Sequence, residues 1–341
     1  MVNSGINMNI AANSEKFSNI GLNFAAIQNY PEAINYIEMA LKIKPEHNDA
    51  IQLRTLCLTK INNLGCLSNN YEAYIDRIYI SGNTYAEIGN YTKAIECYDY
   101  ILSMDPFFTN AIFSKGKSLI KLNKFGEAIQ CYDSALIIDP NDIEILEHKG
   151  IALICQNKHE DAMKCYDAIL KLEPGNQQAL LKKGYIFQTY ENYPEAINNY
   201  DKILEKSKNN LMAWYFKGIC LGEIGSMSFV QYKFTEALKC FDKALEIDPN
   251  NVNVLHAKAK VLAKQGTLDL AISCYEKVIM KNPKNITALY ETAGILRSMG
   301  RQLEAYLYYE KVLSICPNHF SKLEIENIMK KIKLEQNKNN N

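Results

Sequence analysis

Apolar residues recur along the chain with the spacing of an amphipathic α-helix. In the segment that begins at Ala128 they fall at offsets of 0, 1, 4, 7 and 8, which is one face of a helix and not of a strand. Upstream, Ile112, Gly116 and Leu119 share one face of a second helix, and the segment LNKFGE supplies the turn between the two. Pro140 ends the hairpin because it cannot continue a helix. The pattern therefore predicts a helical hairpin.

The hairpin is one copy of a repeat. The segments AIECYDYILSMDP, AIQCYDSALIIDP and AMKCYDAILKLEP begin at Ala94, Ala128 and Ala162, so the spacing is 128 − 94 = 34 and then 162 − 128 = 34. A constant period of this length is typical of stacked helical repeats that share one continuous core. We therefore expect an all-α fold in which the 341 residues form one repeat array.

The unit resembles the tetratricopeptide repeat (TPR), which has a small residue at position 8, Ala at 20, an aromatic residue at 24, a small or aliphatic residue at 27 and Pro at 32. The unit that starts at Thr109 carries all five of them: Gly116, Ala128, Tyr132, Ala135 and Pro140. The resemblance implies a right-handed α-solenoid, a superhelix of stacked helix-turn-helix hairpins. The matching units are residues 14–47, 75–108, 109–142, 143–176, 177–210, 211–251, 252–285 and 286–319.

Two segments break the period. The first, 48–74, has a length of 75 − 48 = 27, seven fewer than a repeat, and we interpret it as a degenerate unit with one shortened or missing helix. In the unit 211–251, the numbers of Gly218 and Ala237 differ by 237 − 218 = 19, against 128 − 116 = 12 in the unit 109–142. Seven residues are therefore inserted between the two helices of this hairpin.

The insert, residues 226–232, permits two interpretations. It either forms a loop or a longer first helix, or it presents Met227, Phe229 and Tyr232 to a partner. Beyond the last unit, Ile325, Ile328, Met329 and Ile332 share one helical face, which is typical of a capping helix that covers the end of a repeat stack. We expect an N-terminal tail (1–13), a TPR superhelical domain (14–319), a capping helix (320–336) and a disordered tail (337–341).

Composition narrows the class of partner. With 38 Lys and Arg against 38 Asp and Glu the formal net charge is zero, so nothing draws the whole chain to nucleic acid or anionic lipid. The N-terminus lacks a charged leader followed by an apolar run, and no stretch reaches the roughly 18 apolar residues of a membrane span. We expect a soluble, cytoplasmic protein. Five of the ten cysteines occupy one repeat position, which indicates packing rather than disulfides or metal binding.

No catalytic constellation is visible in the sequence. Gly116–Ser118 (GKS) echoes a phosphate-binding loop, but it lies within a helical pattern and does not follow a strand. The five histidines have no metal-ligand spacing. We therefore expect no enzyme activity, no cofactor and no metal.

The resemblance implies a concave binding groove lined by positions 2, 5, 6, 9, 12 and 13 of each first helix. Aromatic and charged residues at these positions suit capture of a peptide, because rings supply contact area and charges set the register. The individual rings could instead pack between neighbouring helices, and the charges could simply be solvated. The candidate groove residues are Tyr79, Asn83, Phe113, Lys117, Lys121, His148, Lys182, Tyr185, Tyr215, Phe216, His256, Lys260, Lys264, Tyr290 and Arg297.

The family's clamp for a C-terminal carboxylate is absent, since Tyr79, Ser114 and His148 stand at clamp positions. Basic residues in the last two units favour an acidic or phosphorylated segment there. The expected function is a non-enzymatic scaffold for protein–protein interaction that binds a peptide or partner protein of unknown identity. The alternatives are a self-associating or regulatory subunit of a larger complex, and single-stranded RNA binding, which zero net charge disfavours.

Overall fold

A computed structural model of the chain describes residues 2–26, 30–63, 67–228, 230–318 and 321–339. These residues form eighteen α-helices and no strand, which confirms the predicted all-α class. The chain divides into two compact units, residues 1–157 and 158–341, which we call the N-terminal and C-terminal units. The helices of the N-terminal unit are α1 Val2–Ala26, α2 Tyr30–Ile43, α3 Asn48–Asn63, α4 Leu67–Glu87, α5 Tyr91–Met104, α6 Thr109–Lys121, α7 Phe125–Ile138 and α8 Ile143–Cys155. Those of the C-terminal unit are α9 His159–Leu172, α10 Gln177–Thr189, α11 Tyr193–Lys206, α12 Leu211–Ser228, α13 Gln231–Ile247, α14 Val252–Gln265, α15 Leu268–Lys281, α16 Ile286–Ser298, α17 Gln302–Ile315 and α18 Lys322–Asn339.

A close contact between a glycine and an aromatic ring joins the two helices of a hairpin. In the hairpin of α6 and α7, a Cβ atom added to Gly116 would lie 2.6 Å from Cε1 of Tyr132, a ring that is fully buried. The absence of a side chain at Gly116 therefore lets the ring lie against the α6 backbone. The same contact joins Gly82 to Tyr98, Gly184 to Tyr200, and Gly218 to Phe241.

Side-chain caps start many of the first helices. The Asp142 carboxylate accepts a hydrogen bond from the backbone N–H of Ile145 at 3.0 Å, and Asn176 does the same for Ala179 at 3.0 Å. An N-cap residue of this kind satisfies a backbone donor that has no partner within the helix. Asn210, Asn251 and Asn285 cap α12, α14 and α16 in the same way, whereas α6 begins after Phe108 without a side-chain cap.

A ladder of six ion pairs among the described residues links second helices to the first helix of the next hairpin. The two partners always stand at the same separation in the sequence, for example Asp133 and Lys149, whose side chains approach to 2.6 Å. Half-exposed pairs of this kind are worth at most about 1 kcal/mol each, so they set the register of the stack more than its stability. The other pairs of the ladder are Glu38–Arg54, Asp99–Lys115, Asp167–Lys183, Asp201–Lys217 and Asp242–Lys258.

The described residues of the two irregular segments are mostly helical. A single helix, α3, lies within residues 48–63, and α4 begins at Leu67, eight residues before the repeat that starts at Ile75. The insert lengthens both helices of its hairpin: α12 has 18 residues and α13 has 17, against 13 and 14 in the hairpin of α6 and α7. Residues 226–228 thus extend the first helix, as one interpretation of the insert allowed, and a partner contact at Met227 and Tyr232 stays a prediction.

The capping helix is confirmed. In α18, Ile325 and Ile332 are buried, and Ile325 joins the apolar cluster of the last hairpins. The ammonium group of Lys333 lies 5.2 Å from the centre of the Tyr306 ring on α17. The remaining domain boundaries stay predictions; helix α1 begins at Val2 and α18 ends at Asn339, so both extend into the segments predicted as tails. Within the described residues, no helix combines the length and apolar character that a membrane span requires.

Gly184→Ala tests the glycine–aromatic contact. A Cβ at this position would lie 2.4 Å from Cε1 of Tyr200, so we expect the free energy of unfolding to fall by about 1–3 kcal/mol from overpacking. Urea denaturation followed by circular dichroism measures the change.

Gly294→Ala is the matched control within the same unit. Gly294 lies inside α16 and nothing lies within 4 Å of its added Cβ. We expect this variant to be more stable by about 0.5–1 kcal/mol, because alanine favours the helix. Equal effects of the two substitutions would contradict the packing account.

Candidate functional site

Five of the predicted groove residues line one pocket in the N-terminal unit. We call it the α4/α6 pocket; its volume is about 400 Å³. Its walls come from the first helices α4 and α6, with α5 behind them. Its lining includes the predicted Tyr79, Asn83, Phe113, Lys117 and Lys121, together with Glu87, Tyr91, Tyr98 and Ser114.

The rings of this pocket rest on the hairpin cores. At position 5 of the repeat, Tyr79 lies 6.0 Å from the buried ring of Tyr98, and Phe113 lies 6.1 Å from that of Tyr132, measured between ring centres. Tyr79 also meets the Phe108 ring edge-on at 5.7 Å. Each ring is therefore held from behind by the core while its half-exposed side faces the pocket.

Hydrogen bonds fix the polar groups of the pocket. The hydroxyl groups of Tyr79 and Ser114 are 3.0 Å apart, and the Tyr98 hydroxyl donates to Oδ1 of Asn83 at 2.7 Å. Burial is the main reason that the pKa of Tyr98 rises to about 12. The phenol therefore stays protonated at neutral pH and keeps donating to Asn83.

Helix α8 adds the ring of His148 beside the aromatic residues of the pocket. Its ring meets Phe113 edge-on at 5.0 Å, and the ammonium of Lys117 lies 5.1 Å from the centre of the Phe113 ring. The pKa of His148 lies below its usual value, mainly because burial disfavours the imidazolium and also because Lys117 repels it, while Glu144 acts in the opposite direction. His148 is therefore neutral at pH 7.

Two exposed lysines line the pocket, and neither forms an ion pair in the part of the chain that the structure describes. Lys117 and Lys121 lie on α6, one helical turn apart. Among the described residues, no carboxylate lies within the 4.0 Å of an ion pair from either ammonium, although Glu87 lines the same pocket. The pocket therefore combines oriented rings with two lysines that form no ion pair within the described residues.

The C-terminal unit repeats the ring arrangement. Position 5 of three repeats is occupied by Tyr215, His256 and Tyr290. Each lies against the aromatic ring at position 24 of its own hairpin, with ring centres 6.5, 5.3 and 6.0 Å apart. Phe216 contacts Tyr215 at 5.1 Å. One side of each ring packs on the hairpin core and the other faces outward. Both predicted roles, packing between helices and lining a groove, are therefore compatible with these positions.

The charged members of this unit are arranged differently. Glu223 binds Lys264 at 3.1 Å and lies 3.9 Å from Lys260, so a carboxylate already faces both lysines. Arg297 is exposed and Lys182 is half-buried. Tyr185, at position 9 of its unit, is 38% exposed.

Several relevant features escaped sequence reasoning. Tyr91 and Tyr98 line the α4/α6 pocket although they belong to the second helix, and Tyr98 was visible only as a core position. At the insert, Met227 and Tyr232 are 60% and 59% exposed, while Phe229 lies outside the described residues. The described part of the chain holds no group of three or more metal-ligating side chains.

Comparison with known families decides the nature of the repeat. The family described as "TPR repeat" matches residues 229–266, and that described as "Tetratricopeptide repeat" matches residues 81–143 and 256–319. The chain contains tetratricopeptide repeats. The matched ranges include the end of α4, all of α5–α7 and all of α13–α17, and they contain Asn83, Phe113, Lys117 and Lys121 but not Tyr79.

Solved structures share the TPR fold. A tetratricopeptide repeat protein from Parabacteroides merdae is 21% identical, with 76% of this chain and 98% of that chain covered and a TM-score of 0.58. The C-terminal part of a TPR repeat-containing protein from Cytophaga hutchinsonii is 18% identical, with 72% and 98% covered and a TM-score of 0.55. At these identities the likeness shows the fold alone. No curated protein matches the sequence.

Charge substitutions beside His148 test how Lys117 and Glu144 are placed around this ring, next to the α4/α6 pocket. Lys117→Gln removes a positive charge that lowers the pKa of His148, so we expect that pKa to rise. Glu144→Gln removes a negative charge that raises it, so we expect the pKa to fall. An NMR titration of the His148 ring, assigned with a His148→Gln variant, measures both shifts. Shifts of the same sign in the two variants would contradict the placement of these side chains.

Proposed function

We propose that this chain is a non-enzymatic scaffold for protein–protein interaction that binds a peptide segment of a partner protein, with the α4/α6 pocket as its main contact site. The TPR fold in general supports interaction rather than catalysis. A fold does not by itself determine function, so the proposal rests on the pocket.

The observation that carries the proposal is the arrangement of rings and charges in the α4/α6 pocket. Tyr79 and Phe113 are held by the buried rings behind them, so little side-chain freedom is lost when a ligand binds. Half-exposed aromatic side chains of this kind are typical anchors of protein interfaces. The fixed hydroxyl and amide groups of Ser114 and Asn83 add polar partners for a peptide backbone.

The size of the pocket agrees with a peptide side chain. A volume of about 400 Å³ is within the range of specific ligand sites, roughly 300–1,000 Å³. Next to the pocket, the ring of His148 meets Phe113 edge-on at 5.0 Å and adds a further aromatic surface. The candidate residues of the C-terminal unit remain predictions for further contacts along its own first helices.

We include a cytoplasmic location in the proposal. Cys220 and Cys240 are buried, and burial is the main reason that the pKa of the Cys240 thiol rises to about 11. Thiols in such surroundings are unreactive and pack as small apolar groups. Unreacted thiols are the rule in the reducing cytoplasm.

A double substitution in the pocket tests the proposal. We expect Tyr79→Ala/Phe113→Ala to weaken binding at least about tenfold, because each ring is an anchor. A random-peptide library displayed on phage and selected on the full chain supplies the ligand, and fluorescence anisotropy of the selected peptide measures the affinity.

The matched control is Phe107→Ala/Ile137→Ala. These side chains belong to the same unit, are 73% and 81% exposed, and are not part of the pocket lining. We expect this variant to bind like the wild type, and circular dichroism checks that both variants fold. A selected peptide that binds the pocket variant with wild-type affinity, or a selection that yields no peptide, would contradict the proposal.

A further inference from the structure

The α4/α6 pocket has a counterpart in the C-terminal unit. Tyr79 and Glu87 correspond to Tyr215 and Glu223, because the offsets are 215 − 79 = 136 and 223 − 87 = 136, or four periods of 34. Lys117 and Lys121 correspond to Lys260 and Lys264, at 260 − 117 = 143 and 264 − 121 = 143, the same four periods plus the length of the insert. Each unit therefore carries one aromatic residue, one glutamate and two lysines at equivalent positions of consecutive first helices.

In the C-terminal unit the carboxylate of this glutamate lies next to the ammonium groups of both lysines. The Oε2 atom of Glu223 is 3.1 Å from the ammonium of Lys264, its Oε1 atom is 3.3 Å from the same group, and Lys260 lies 3.9 Å away. One carboxylate thus serves both lysines, which shows how this pair of positions holds an acidic side chain.

In the N-terminal unit the equivalent glutamate forms no such pair within the described residues. Glu87 is the last residue of α4, and the chain turns at Gly89, whose φ is +82°. By contrast α12 continues past Glu223 to Ser228, and its extension packs closely, with Gly225 against the ring of Phe234. The inserted residues therefore hold Glu223 within a packed helix, whereas Glu87 stands at a helix end.

We propose that an acidic side chain of the bound peptide takes, between Lys117 and Lys121, the place that Glu223 takes between Lys260 and Lys264. The ligand is then a peptide segment with an internal Asp or Glu beside an apolar residue, which packs on Phe113 and Tyr79. This inference rests on the proposed function and adds the chemistry of the ligand. The carboxylate belongs to a side chain, because the residue that demonstrates the contact is itself a glutamate within a chain.

Charge complementarity supports this occupant. Every lysine at position 7 of the first helices α6, α8, α10, α12 and α14 pairs with an aspartate of the ladder, and the lysines at positions 9 and 13 of α14 face Glu223. Lys117 and Lys121 stand apart from this pattern in the described part of the chain. A ligand carboxylate between them would supply the charge-assisted hydrogen bonds that the fold supplies elsewhere.

A phage-displayed random-peptide library, fused at its C-terminus so that no terminal carboxylate is free, tests the proposal. We expect the selected peptides to carry Asp or Glu next to Leu, Phe or Tyr. Replacing that acidic residue by its amide should weaken binding to the wild type about tenfold, which corresponds to a lost charge-assisted contact. Lys117→Gln/Lys121→Gln should weaken the acidic peptide by a similar factor and leave the amide peptide unchanged.

The control for this variant is Lys202→Gln/Lys277→Gln. It removes the same charge from exposed positions on the second helices α11 and α15, and should leave both affinities unchanged. Peptides that depend on Phe113 but bind equally well as acid and amide would overturn the acidic ligand while the proposed function stands. Peptides whose affinity does not change in a Phe113→Ala variant would overturn both the acidic ligand and the proposed function. Displacement of the selected peptide by single-stranded RNA in a competition assay would do the same.

Glu223→Gln provides a second, independent readout. It frees Lys260 and Lys264 without a change in the N-terminal unit, so the acidic peptide should find a second, weaker site. Isothermal titration should then show two peptides per chain, against one for the wild type. A stoichiometry that stays at one would contradict the equivalence of the two arrangements, and with it the proposal.

Discussion

In the hairpins α4/α5, α6/α7, α10/α11 and α12/α13, the contact of a first-helix glycine with a second-helix aromatic ring is the constraint on which the packing depends. Because Gly116 presents no side chain, the ring of Tyr132 fills the space between α6 and α7 and is itself fully buried. Its other side then supports Phe113, the ring at position 5. The core contact thus creates a firm aromatic surface on the first helix, and the candidate site is a consequence of how the hairpin packs.

Charge distinguishes surfaces that packing makes alike. In the ladder of ion pairs, the lysine at position 7 of a first helix is paired with an aspartate of the preceding hairpin, as Lys115 is with Asp99. In the C-terminal unit Glu223 likewise satisfies the two lysines of the groove side. The pairing of Lys260 and Lys264 with Glu223, together with His256 at the position of Phe113, separates this counterpart from the pocket beside Lys117.

The hairpins were predictable because the glycine of the glycine–aromatic contact recurs at multiples of 34 residues. Gly82, Gly184 and Gly218 therefore indicate the contact in the sequence. The pocket was partly predictable: the resemblance indicated Tyr79 and Phe113, but the contribution of a second helix depends on three-dimensional packing. The pairing of Glu223 was not predictable, because it depends on α12 continuing as a helix to Ser228, and the sequence alone also permitted a loop there. Local pattern permits both outcomes, and packing decides between them.

Amide hydrogen exchange of the full chain, with and without the selected peptide, tests the central claim most directly, because it locates the ligand without any substitution. The account predicts that added protection is largest in the first helices α4 and α6, around Tyr79 and Phe113, and absent from the outward face of α7. Protection confined to the insert of α12 and α13 or to the capping helix α18, with α4 and α6 unchanged, would contradict it.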